Sequence, residues 1–108
     1  MSYEIHLAQT AKDDLQEIFS YIAFQIPETN SLQNAEQQIQ RLLKQIQTLN
    51  EFPNRYPVCS NERLHKRKVH LMPVDNYLVH YQVNQKASTV YVARIVSGRR
   101  NMDTVSLQ

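Results

Sequence analysis

The spacing of apolar side chains changes once, near the middle of the chain. The opening run Tyr3-Glu4-Ile5-His6-Leu7 alternates apolar and polar positions, as a short half-buried strand does. Apolar residues then recur at Ala11, Leu15, Ile18, Phe19, Ile22 and Ala23, which is one face of a helix. Thr10 is placed to cap its start, with Asp13 answering the cap backbone and Asp13 and Asp14 favoured by the dipole of the first turn. Pro27 cannot continue this helix, so it ends near Gln25. A second helix starts at Asn30 or Ser31 and lines up Leu32, Ala35, Ile39, Leu42, Leu43, Ile46 and Leu49, with Gln, Glu, Lys and Arg opposite. Two amphipathic helices joined by a short link predict an antiparallel hairpin whose apolar stripe is core.

Beyond the loop bracketed by Pro53 and Pro57 the period shortens to two. Lys66 to Leu71, Tyr77 to Val83 and Thr89 to Val96 are β-rich runs. Pro73-Val74-Asp75-Asn76 and Gln85-Lys86-Ala87-Ser88 separate them, predicting an antiparallel meander. Thr89 to Val96 is apolar on both faces apart from Arg94, as a central strand would be. The only glycine, Gly98, follows it at a turn expected to need positive φ. The order strand, helix, helix, three strands predicts an α+β fold, a two-helix hairpin packed on a small antiparallel-rich sheet. At 108 residues it is expected to be one domain, residues 1–108, large enough for a modest core.

Charge adds the next distinction. Met1 to Phe52 holds three basic and seven acidic residues, net −4, whereas Pro53 to Gln108 holds nine and three, net +6. Such asymmetry predicts a polyanionic or acidic partner for the basic half, nucleic acid and an acidic protein segment being equally suited. Cys59 is the only cysteine and makes neither an internal disulfide nor, alone, a zinc site. No two histidines have a metal-ligand spacing, so neither metal nor cofactor is expected. The start shows no basic region followed by an apolar run, and no stretch approaches the ~18 apolar residues of a membrane span. The expectation is a reduced, cytoplasmic protein with no membrane association.

Four local patterns, in order, resemble the RelE/ParE superfamily of bacterial toxins. The first helix carries Ala11-Lys12-Asp13-Asp14-Leu15-Gln16-Glu17-Ile18, running on to Tyr21-Ile22-Ala23. The second ends in Leu49-Asn50-Glu51-Phe52-Pro53, similar to the family's Leu-x-x-Phe-Pro. Asn76-Tyr77-Leu78-Val79-His80-Tyr81-Gln82-Val83 is similar to its Tyr-x-x-x-Tyr-x-Val strand. Val90-Tyr91-Val92-Ala93-Arg94-Ile95-Val96-Ser97-Gly98-Arg99-Arg100 resembles its ending, an apolar-Arg-Ile run followed by Gly-Arg-Arg. The resemblance implies the toxin half of a type II toxin–antitoxin system of the plasmid-stabilising kind, growth-inhibiting and neutralised by a cognate acidic antitoxin.

Within the superfamily the resemblance implies two chemistries. ParE-like members poison DNA gyrase and need no nuclease residues. RelE-like members cleave mRNA on the ribosome without a metal: the ribose 2′-OH attacks the adjacent phosphate, so a base, an acid and phosphate-stabilising cations are required. For that reaction the candidates are Lys66 and Lys68, sharing one face of the middle strand, Arg100 at the phosphate, and His80 (or His70) for proton transfer. The family's catalytic arginine falls on Leu78, however, and its C-terminal tyrosine on Ser106, which favours the ParE-like reading. Arg63, Arg67, Arg94 and Arg99 are the candidates for contact with target or antitoxin, Arg94 alternatively pairing with Asp13 or Glu17. A third reading is a non-toxic relic that only binds its antitoxin.

Overall fold

The structure, a computed structural model, describes residues 2–26 and 29–98. The alternating N-terminal run forms β1 (Glu4–Leu7). Helix α1 (Gln9–Ser20) follows and passes into a π-helical turn over Tyr21–Gln25. Helix α2 (Ser31–Gln47) tightens into a 3-10 turn, Thr48–Asn50, and a second one covers Pro53–Arg55. A short helix α3 (Glu62–Lys66) precedes β2 (His70–Val74), β3 (Tyr77–Asn84) and β4 (Thr89–Ser97). The sheet order is β1-β4-β3-β2, in which β2–β3 and β3–β4 are antiparallel and β1 lies parallel to β4. The architecture is α+β, and β4 is the central strand its composition predicts.

One face of this sheet carries the core. Met72, Val79, Tyr81, Val90, Val92 and Ile95 pack with Ala11, Leu42, Ile46 and Leu49 from the helical arm. On α2 the buried positions are Ala35, Gln38, Leu42 and Ile46, three to four residues apart. Leu32 and Leu43, expected in that stripe, are instead exposed, and the amide of Gln38 takes a core-facing place. Gln38 is held there by Asp75 in the β2–β3 turn, whose Oδ2 accepts from Gln38 Nε2 and Arg41 Nε, each at 2.9 Å. Asp75 has φ 53, a left-handed conformation that a short polar residue tolerates, so this node also fixes the turn.

The segment between the second and third expected elements departs most from the sequence reading. A strand from Lys66 to Leu71 is not formed. The Asn61 side chain accepts hydrogen bonds from the backbone N–H groups of Arg63 and Leu64, capping α3 and drawing Glu62–Lys66 into a helix. Lys68 then turns the chain at φ 54, and β2 begins only at His70. Lys66 and Lys68 therefore do not share a strand face. Pro73 and Val74 belong to β2, not to a loop; a proline is admitted because β2 is an edge strand.

At the other end of the chain, Thr10 does not cap α1. The helix starts one turn earlier than Asp13 and Asp14 require for a dipole role, with Ala8 at its cap position and no side-chain cap bond. Gly98 does not adopt a positive φ. Its N–H donates to the Asn76 carbonyl at 2.6 Å, and a Cβ there would lie 3.3 Å from that same oxygen. The lack of a side chain here suits the close approach of the two backbones, which a Cβ would push apart by a few tenths of an ångström.

The Leu-Asn-Glu-Phe-Pro stretch is a joint between hairpin and sheet. Leu49 and Pro53 are buried, while Phe52 between them sits at φ 49 with its ring 80% exposed. Arg55 ties together the link that follows α2 by donating to Thr48 O, Glu51 O and Phe52 O. The Tyr81 hydroxyl, fully enclosed, donates to the Pro53 carbonyl at 2.6 Å. Burial pushes that phenol up to about 12, so it remains a donor throughout the neutral range. Replacing Tyr81 by Phe leaves the Pro53 carbonyl without its partner; urea unfolding is expected to show a loss of about 1–3 kcal/mol, and an unchanged midpoint would mean that the joint does not depend on this bond.

Candidate functional site

β1 ends opposite Val92, so from that point the central strand has no neighbouring strand on one edge. The register with β3 slips at the same place: Tyr81 faces Val92 but His80 faces Arg94, which leaves Ala93 as the extra residue of a bulge. Helix α1 takes over the vacated edge with side chains. Thr10 Oγ1 donates to the Ala93 carbonyl at 2.6 Å, and the Ile95 N–H donates to Asp14 Oδ2 at 2.8 Å. Arg94 closes on the same carboxylate through Nε (2.8 Å to Oδ2) and Nη2 (3.1 Å to Oδ1). The partner of Arg94 is thus Asp14, not Asp13 or Glu17; Asp13 accepts from Gln9 Nε2 instead. Asp14 lies one helical turn beyond Ala11, on the buried face. The apolar spacing that located Ala11 and Ile18 therefore marks this acid as inward-facing.

This node forms the floor of a groove of about 880 Å³ between the hairpin and the end of the sheet. Ile18, Tyr21 and Ile22 line the hairpin side, Arg94 and His80 the sheet side, and Arg41 the α2 side. The π-helical turn supplies Tyr21, and widened turns of this kind recur at functional sites. The Arg94 side chain is half-exposed although its partner Asp14 is buried, so the pair presents a guanidinium to the groove. Its hydrogen bonds to Asp14 raise the Arg94 pKa further above its ordinary value.

His80 is only 6% exposed and its Nδ1 lies 3.4 Å from the Leu78 carbonyl. Burial pulls its pKa below the ordinary 6.5, and nearby Arg94 acts in the same direction. The imidazole is therefore neutral at pH 7, enclosed, and beside a cation. His70 is structural: its ring stacks on Tyr81 at 5.0 Å between centroids and its Nδ1 is 2.7 Å from the Tyr56 carbonyl. Arg63, Lys66, Arg67 and Lys68 are exposed on α3 and the turn after it. From α3 only Leu64 reaches the groove, so Lys66 and Lys68 are not brought together with His80 there. Leu78, at which the resemblance implies an arginine in RelE-like members, is a half-buried apolar side chain. Arg99, Arg100 and Ser106 lie outside the described residues. Among the described residues no group of three His, Cys, Asp or Glu could hold a metal ion, and no helix is long and apolar enough to cross a membrane.

A hairpin set against a mixed four-stranded sheet is a fold this chain shares with solved toxin–antitoxin proteins. Structures similar to this chain include the chromosomal ParDE toxin–antitoxin system of P. aeruginosa, with TM-score 0.68 at 15% identity over 89% of this chain and 96% of that one. The toxin–antitoxin complex RelBE2 of Mycobacterium tuberculosis gives 0.62 at 16% identity, covering 90% and 92%. The archaeal RelE–RelB complex of Pyrococcus horikoshii OT3 gives 0.59 at 15% identity, covering 94% and 100%. These likenesses share the fold. No curated protein matches the chain at the level of sequence. The family model described as "ParE toxin of type II toxin-antitoxin system, parDE" matches residues 5–102, and the chain belongs to that family.

The geometry yields two expectations for stability. Asp14→Ala removes the acceptor of the buried Ile95 N–H along with the partner of Arg94, and should cost about 2–4 kcal/mol in chemical denaturation. Arg94→Ala should cost less, since its side chain is half in solvent and Asp14 keeps its bond to Ile95; an equal or larger loss would mean that the ion pair, not the strand edge, is the stabilising element. For His80 the folded pKa lies below the unfolded one, so its contribution is intact above pH 6.5 and is lost as pH falls below it. His80→Asn should flatten the decline in stability between about pH 7 and 5; a slope identical to that of the unmodified chain would overturn this assignment.

Proposed function

We propose that this type II toxin arrests growth in the ParE manner, by acting on DNA gyrase, and that an acidic antitoxin holds it in check. The observation that carries this reading is the dispersal of the groups that mRNA cleavage requires. A base near neutrality must reach the 2′-OH while cations gather on the phosphate. Here the histidine is almost wholly buried, and the two lysines, on α3 and its turn, do not line the groove that His80 lines. Leu78 offers no charge at the remaining position. The family match to the ParE toxin favours the same reading.

Ribosome-dependent mRNA cleavage is the second reading, favoured by the likeness to RelE–RelB and RelBE2 complexes at TM-scores not far below that of ParDE. An antitoxin partner agrees with the neighbours being toxin–antitoxin complexes, and its acidity with the net +6 charge of residues 53–108.

Pulse-labelling after induction in bacteria separates the two. The expected result is that DNA synthesis stops within minutes, with a damage response, while protein synthesis continues at first. Growth arrest should also persist in His80→Ala and in a Lys66→Ala/Lys68→Ala double variant. Immediate arrest of translation with cleaved mRNA, lost in those variants while antitoxin binding survives, would establish the nuclease instead. A chain that alters neither synthesis would be the non-toxic relic.

A further inference from the structure

Five of the six residues from Arg63 to Lys68 are basic, Leu64 being the exception. All five are exposed, whereas Leu64 is partly buried beneath them. This is a fixed structure: Asn61 caps the helix, the Lys68 N–H donates to His65 O at 2.9 Å, and the Val69 N–H donates to Leu64 O at 3.0 Å. Gln82 of β3 reaches across and donates from Nε2 to the Arg67 carbonyl at 2.8 Å, pinning the turn to the sheet. Lys68 is held at φ 54, a conformation that costs a non-glycine residue free energy and persists only where its surroundings impose it.

The cations have little to neutralise them. Glu62 stands 3.9 Å from Lys66, with both side chains more than three-quarters exposed, and is the one acid in the segment. Of the other acids, Asp14 pairs with Arg94 and Asp75 with Arg41. Four permanent charges thus stand on a short ordered turn against one acid, a concentration suited to a polyanion of high linear charge density. Between Asn61 and Val69 there is no Phe, Tyr or Trp, and the single ring, the exposed imidazole of His65, is a smaller platform for an unpaired base than a phenol or indole. Duplex DNA, with one negative charge per about 1.7 Å of axis, presents phosphates densely and needs no stacking partner.

We propose that α3 and the turn after it form a phosphate-binding surface for duplex DNA, made by Arg63, Lys66, Arg67 and Lys68 and indifferent to base sequence. The surface does not depend on which enzyme the toxin arrests, so its failure would leave the gyrase reading standing and the reverse also holds.

The test is fluorescence anisotropy of the full chain with a labelled 20-base-pair duplex of arbitrary sequence, titrated between 50 and 200 mM salt. The expected logarithmic salt slope is about −3 to −4 for four neutralised phosphates. Arg67→Glu/Lys68→Glu should weaken binding at least about tenfold and flatten the slope by roughly two units, and Arg63→Glu should weaken it further. Lys12→Glu and Lys44→Glu, on the helical hairpin, should leave it within about twofold, with unchanged circular dichroism showing all variants folded. Absent binding at 50 mM salt, or binding unaffected by the α3 reversals, would overturn the proposal. Tighter binding of polyglutamate than of DNA would assign the surface to an acidic protein. Tighter binding of single-stranded oligothymidine would bring in the exposed Tyr91 ring as a stacking platform and overturn the duplex assignment.

Discussion

A central strand that loses its neighbour half-way along leaves backbone groups with nothing to meet, and in this fold the carboxylate of Asp14 accepts from the orphaned N–H of Ile95. β1 can supply only the first half of the β4 edge, because it is four residues long. Past Val92 a water-exposed edge would sit beside the packed hairpin, where an unpaired N–H is costly. By accepting from Ile95 N–H and from Arg94 together, Asp14 completes the ladder and draws α1 onto the sheet. Thr10 serves the acceptor side of the bulge in the same way. The tilt of the hairpin, the opening of the groove and the outward presentation of Arg94 all follow from that attachment.

The larger elements were legible from apolar spacing because burial on one face imposes it. β3, β4, α2 and the end of the first helix near Gln25 fall where the periodicity places them. What periodicity could not resolve is the stretch from Asn61 to Leu71, where Arg, Lys and His dominate and few apolar side chains exist to set a period. There a single hydrogen-bonding side chain, Asn61, decides for helix over strand. Gly98 was misread for a related reason. Its role depends on the Asn76 carbonyl arriving from a different strand, a fact of tertiary structure that no local rule contains.

Arg94 stands out in the sequence as a charge in an apolar strand, for which an acid partner is one of two readings, with Asp13 or Glu17 as the partner. The acid that meets it is Asp14, because that is the one sharing the inward face of the helix with Ala11. The low exposure of His80 could not be read from its own strand, since the groove it lines is also bounded by α1, α2 and Leu64 of α3.

The parallel pairing of the first and last strands also governs when the protein can exist at all. Glu4 aligns with Thr89 and Leu7 with Val92, so the opening strand finds its partner only when nearly the whole described chain has been made. Val90, Val92 and Ile95 are core residues as well, and the hairpin has no finished sheet to pack on before they arrive. Contacts this distant in sequence slow folding and resist completion on a nascent chain. A nascent chain therefore carries an incomplete sheet until β4 has been made. The attachment of the hairpin through Asp14, and the groove it opens, wait for that strand, whereas the basic turn needs only Gln82 of β3.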